Sequence, residues 1–181
     1  MPTPAERATP IEPSVSPPAP SLLGTILGGL GVSVGILAAN RLAERLELSE
    51  LDLPRVLGLT FRDPEQDRVQ TTGLLWYFAW GGAVVPTLYW LGFRAPGRTG
   101  ARAGFVLGIG HYLVSGAILG ASHPDYPKQS RGPGRPMGLF DWCANLAGHI
   151  AYGLVVGWAA ATAPIRGKRR SRLHWTPGLT P

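Results

Sequence analysis

The chain has 181 residues, enough for one compact unit, with a net charge of +6 from 17 basic and 11 acidic side chains. Hydrophobic residues make up 45% and charged residues 15%, against a usual charged share of about 25%. The single cysteine, Cys143, excludes a secreted disulfide scaffold, and 25 glycines with 18 prolines disfavour a long coiled coil.

Charge is placed very unevenly. Four windows, Leu22 to Ala39, Gly73 to Phe93, Ala103 to Ser122 and Trp142 to Ala163, contain no Asp, Glu, Lys or Arg. As helices they span roughly 27 to 33 Å, the thickness of a hydrocarbon core. A soluble bundle would need a polar face on every helix, and these have none. The predicted fold is therefore all-α: a four-helix transmembrane bundle, with helices at about 22–39, 73–93, 103–122 and 139–163.

Before the first helix, residues 1–21 form a proline-rich arm, predicted to be disordered because it cannot bury a core. Its acids Glu6 and Glu12 beside Arg7 argue against a cleaved signal peptide. The connection Asn40 to Thr72 reads as a surface-lying or protruding helix around Leu42, Leu46 and Leu53. A short piece follows at Pro54–Gly58, then a solvated turn at Asp63–Asp67. In the second helix, Pro86 should produce a kink and free the carbonyl of Gly82. The third connection, His123 to Pro136, is too rich in proline to be helical. Residues 164–181 are a basic tail.

Four spans put both termini on one side. That side carries nine basic and two acidic residues, with five of the basic ones packed into Arg166–Arg172; the other side carries eight basic and nine acidic. The density beside a membrane end favours both termini in the cytoplasm. The tail also suits anionic lipid headgroups. Nucleic acid is not an expected partner, since no basic stripe is interleaved with aromatic residues. Trp76, Trp80 and Trp142 are expected near one interface, and Trp90 and Trp158 near the other.

Small residues four apart allow membrane helices to approach. Such pairs are Gly24/Gly28 and Gly31/Gly35 in the first helix, Gly104/Gly108 and Gly116/Gly120 in the third, and Gly153/Gly157 in the fourth. They are expected to mark packing within the bundle, with a homo-oligomer or another membrane protein as the alternative partner.

Two histidines, His111 and His149, lie deep inside uncharged windows. Ser115 shares a helix face with His111, while Asp141, Asn145 and His149 form a stripe at four-residue spacing and Tyr152 follows one turn later. Intramembrane ionisable groups cost free energy and usually face the protein interior. Three readings compete: neutral histidines hydrogen-bonded between helices, a proton or small-solute path along the stripe, and bis-histidine haem binding. Zinc would need more ligands than two core histidines supply. His123, Asp125 and Tyr126 read as a stiff turn rather than a metal site, and Cys143 as inert packing. No Walker loop, dinucleotide fingerprint, zinc-protease helix or nucleophile elbow is present.

The elements Leu53-Pro-Arg-Val-Leu-Gly58, Gly110-His-Tyr-Leu-Val-Ser-Gly116 and Gly148-His-Ile-Ala-Tyr-Gly-Leu-Val-Val-Gly157 resemble a family of small uncharacterised four-helix bacterial inner-membrane proteins. The likeness covers about Leu22 to Ala163, and its most specific part is Gly-His-x-x-Tyr-Gly-x-x-x-Gly. It implies the topology and singles out His111, His149 and Tyr152, but supplies no reaction. The expected function is that of a non-enzymatic integral membrane protein, as an accessory subunit of a larger complex. The alternatives are a small oligomeric transporter or proton conductor using the intramembrane histidines, and a haem-binding electron carrier.

Overall fold

The computed structural model describes residues 19–49, 51–59, 68–122 and 138–162. The proline arm, the Asp63–Asp67 turn, the His123–Asp125–Tyr126 cluster and the basic tail lie outside these residues. The elements are α1 (Leu22–Arg45), α2 (Leu53–Leu59), α3 (Val69–Ala79), a π turn (Trp80–Val84), α4 (Val85–Arg94), α5 (Ala101–Ser122) and α6 (Leu139–Thr162). Among the described residues there is no strand.

α3, the π turn and α4 form one continuous rod, Val69–Arg94. With α1, α5 and α6 it makes four helices long and apolar enough to cross a membrane. Their outward faces carry leucine, valine and tryptophan, as at Leu27, Val34, Leu75, Val106 and Trp158. Water would penalise such surfaces and lipid does not. This is an all-α, multi-pass membrane bundle.

α1 begins where the Ser21 hydroxyl accepts the N–H of Gly24 at 3.1 Å, an N-cap that satisfies one orphan donor. The Ser21 N–H donates to the carbonyl of Ala160 (3.0 Å), and the Trp90 indole donates to the carbonyl of Pro20 (3.0 Å). These bonds fasten the start of α1 to α6 and α4 at the terminal end of the bundle. α1 runs on past its uncharged window and stops at Arg45. There Glu47 takes a left-handed conformation (φ 58°), and the N–H of Leu48 caps the carbonyl of Ala43 (2.9 Å).

α5 and α6 are antiparallel and meet backbone to backbone. A Cβ on Gly104 would strike the carbonyl of Gly153, one on Gly108 the carbonyl of His149 (2.6 Å), and one on Gly153 the carbonyl of Gly104. Gly157 is equally confined, and its carbonyl accepts the N–H of Gly100 (3.1 Å). On α1, Gly28 rests on Ala159 and Val156, and Gly24 is buried. The other glycine pairs behave differently. Gly31 and Gly35 have nothing within 4 Å, because these positions point out of the bundle, and Gly116 has nothing within 4 Å because it borders open cavity space; Gly120 lies outside the described side chains. α2 lies against α3 through one glycine on each helix, Gly58 beneath Val69 and Gly73 beneath Pro54.

The two halves of the bundle are filled unequally. The terminal half is solid, built from Val85, Tyr89, Phe93, Tyr152, Val156 and Ala160. In the other half α3 packs on α2 and α1, but no close packing joins α3 to α5.

The seam yields a contrast between two glycine-to-leucine variants. Gly104→Leu forces α5 and α6 apart and should cost at least the ~1–3 kcal/mol typical of overpacking. Gly35→Leu faces lipid and should leave the unfolding transition in detergent unchanged.

Candidate functional site

The π turn in the second membrane span builds the floor of the site. In the π turn the N–H of Val85 reaches back five residues to the carbonyl of Trp80. In that register the next donor would serve Gly81, but the next residue is Pro86, which has no N–H. The freed carbonyl is therefore that of Gly81, not of Gly82 as α-helical spacing predicts. The Tyr152 hydroxyl from α6 donates to it. Gly29 on α1 leaves room for this crossing, since a Cβ there would lie 2.5 Å from Pro86 and 2.8 Å from the Tyr152 oxygen. A second tyrosine, Tyr77, donates to the carbonyl of Ser33 (2.8 Å).

Above this floor the Gly104/Gly108 seam brings the two histidines together. His111 and His149 each sit ten residues into their helices, about 15 Å from the helix start and near the bilayer midplane. Their rings meet edge to face with centroids 4.6 Å apart. His111 also meets Tyr89 (6.0 Å) and Tyr152 (5.7 Å), and His149 meets Tyr112 (5.5 Å). Nδ1 of His149 lies 2.8 Å from the carbonyl of Asn145, and Nε2 lies 3.1 Å from the Ser115 hydroxyl. Ser115 thus serves the histidine of the neighbouring helix rather than His111 on its own. Among the described residues three buried polar atoms have no hydrogen-bond partner: Nδ1 of His111, the Tyr89 hydroxyl and Nδ2 of Asn40. Neither Tyr89 nor Asn40 stands out in the sequence, because nothing local marks a tyrosine or asparagine as facing inward.

The rings form one wall of a cavity of about 280 Å³. Ser115, Asn145, His149, His111 and Tyr152 line it, together with Ser33 and Asn40 of α1, Leu53 and Val56 of α2, and Trp76 and Trp80. Among the described residues no Asp, Glu, Lys or Arg does. Trp76 and Trp80 lie on the cavity wall, with Trp80 in the π turn near the middle of the second span. Gly116 and Ile118 of α5 line the same cavity, and among the described residues α3 and α5 do not pack there, which leaves a gap between these helices.

Asp141 does not line the cavity. It is fully buried at the start of α6, where the Ser49 hydroxyl donates to Oδ1 (2.5 Å) and the N–H of Gly138 donates to Oδ2 (3.2 Å). An acid in the first helical turn also complements the helix dipole. Asp141 therefore anchors the link between α1 and α2, and the polar stripe enters the cavity only at Asn145. Cys143 is exposed, not packed.

A haem between His111 and His149 does not fit. Two axial imidazoles must stand on opposite faces of a porphyrin with iron between them, and these rings touch. Both nitrogens of His149 are also engaged, and α5 and α6 are in backbone contact one turn away. Among the described residues no three His, Cys, Asp or Glu side chains cluster as metal ligands.

Tyr152→Phe removes the donor for the Gly81 carbonyl and should cost about 1–3 kcal/mol, the penalty for an unsatisfied buried group. In a Pro86→Ala background, which restores an N–H, the same change should cost less. A double-mutant cycle of unfolding in detergent measures the difference.

No protein-family model, curated protein or solved structure matches the chain.

Proposed function

We propose that this is a non-enzymatic protein of a bacterial inner membrane, with both termini cytoplasmic, and that its histidine-lined cavity binds a small uncharged lipophilic solute. One observation carries this reading: a mid-membrane cavity of about 280 Å³ with no charged wall residue among the described residues and an opening between α3 and α5. A solute entering there leaves lipid, not water, so it sheds little hydration. Apolar cavities with a few oriented polar groups are the usual form of small-molecule sites. Transport of that solute, or its delivery to a partner, follows from the same site. The sequence resemblance to the four-helix family agrees with the topology.

The accessory-subunit reading has its own support. Gly31 and Gly35 open a smooth strip on the outer face of α1, the surface another membrane helix packs against most closely. A second copy of the chain would use the same strip.

Solute binding is tested with 4-bromobenzyl alcohol, a neutral probe whose bromine quenches tryptophan fluorescence. In nanodiscs it should quench saturably through Trp76 and Trp80. Ala144→Phe, which fills the cavity, should abolish saturation. Linear, partition-like quenching of the wild-type protein would reject a binding cavity. For the accessory reading, Gly35→Leu should abolish co-purification of a membrane partner while the fold is retained.

A further inference from the structure

The hydrogen bonds around His149 contain one proton fewer than their geometry can use. Nδ1 faces the carbonyl of Asn145 at 2.8 Å. A carbonyl only accepts, so Nδ1 carries a hydrogen in every stable state. Nε2 faces the Ser115 oxygen at 3.1 Å, and that same oxygen lies 3.2 Å from the carbonyl of Tyr112. Ser115 has a single hydroxyl hydrogen, which cannot serve both.

Two arrangements satisfy the set. With neutral His149, Ser115 donates to Nε2, and the Tyr112 carbonyl keeps its helical N–H donor from Gly116. With His149 protonated, Nε2–H donates to the Ser115 oxygen, and the hydroxyl turns to Tyr112. Both N–H groups of the imidazolium are then bonded. Rotation of one hydroxyl connects the two.

We infer that His149 is a proton-accepting site of the cavity, with the Ser115 hydroxyl as the group that reorients when a proton from water reaches Nε2. The surroundings fit a site holding a single proton. α5 presents His111 and Tyr112, α6 itself presents Asn145 and Tyr152, α1 presents Ser33 and Asn40, α3 presents Tyr77, and α4 presents Tyr89. No carboxylate or fixed cation among the described residues lines the cavity. His111, 4.6 Å away with an unpartnered Nδ1, cannot be charged at the same time, because two adjacent imidazolium rings repel. The inference stands whether or not a solute occupies the cavity. If one does, an uncharged solute binds the neutral state better, and its binding weakens as pH falls.

The test is a pH titration of ¹⁵N-histidine-labelled full-length protein in nanodiscs, with His149→Gln assigning the resonance. At high pH the wild type should show Nδ1 protonated and Nε2 bare; acidification should protonate Nε2. Ser115→Ala should weaken proton binding by His149 several-fold to about tenfold, the margin by which a hydrogen bond to the charged ring exceeds the one Ser115 makes to the neutral ring. Ser115→Thr, which retains the hydroxyl, should titrate like the wild type. The inference is overturned by an Nε2–H tautomer at high pH, by a Ser115→Ala curve that overlays the wild type, or by unfolding before His149 takes up a proton. Should Ser115→Ala fail to fold, the wild-type tautomer and the threonine variant still decide.

Discussion

The backbone contact of α5 with α6 governs the rest of this molecule. Helices in lipid gain nothing from excluding water, so they associate where small residues let dispersion and backbone dipoles act at short range. Gly104, Gly108, Gly153 and Gly157 allow that approach, and any Cβ along the seam would meet a carbonyl or a backbone carbon. The approach fixes the register of the two helices, and the register puts His111 against His149 at 4.6 Å. Were the helices a few ångströms further apart, Ser115 could not reach His149, and the site would become two separate histidines.

A second constraint comes from one missing N–H. Pro86 cannot complete the π turn, so the Gly81 carbonyl must find a donor elsewhere. Tyr152 supplies it, and the bond ties α6 to the second span one turn from His149. Gly29 makes room for the crossing, which draws α1 into the same junction. The π turn, the tyrosine and the glycine thus form one device that closes the terminal half of the bundle. Beyond it the second span leans on α1 and α2 rather than on α5, and the cavity occupies the space left over. α2 covers that half because Gly58 and Gly73 let it lie flat on α3, while the Ser49–Asp141 bond pins its leading loop to α6.

Chemically, the site combines the groups of a small polar cluster with the solvent of a membrane. Each polar atom there either has a partner inside the protein or goes without, since lipid offers none. His149 is fully partnered and His111 is not, although both are histidines at equal depth. That asymmetry distinguishes a ring wired to hold a proton from one that serves as its neighbour. The same crowding that joins the rings removes the space a haem would need.

Much of this was already present in the order of residues. The four uncharged windows located the spans, because a charge in hydrocarbon is costly wherever it sits in the sequence and its absence is therefore a local signal. The inward set His111, Ser115, Asn145, His149 and Tyr152 was legible for the same reason: polar side chains in apolar windows must face protein. Partners were not legible. Helical periodicity placed Ser115 with His111, whereas the fold gives it to His149; it extended the stripe to Asp141, which instead holds Ser49. It could not separate Gly104, which faces a backbone, from Gly35, which faces open space, since spacing within a helix does not say what lies across from it. The register of a π turn, the direction of a glycine and the neighbour of a ring are properties of pairs of helices, and only their packing decided them.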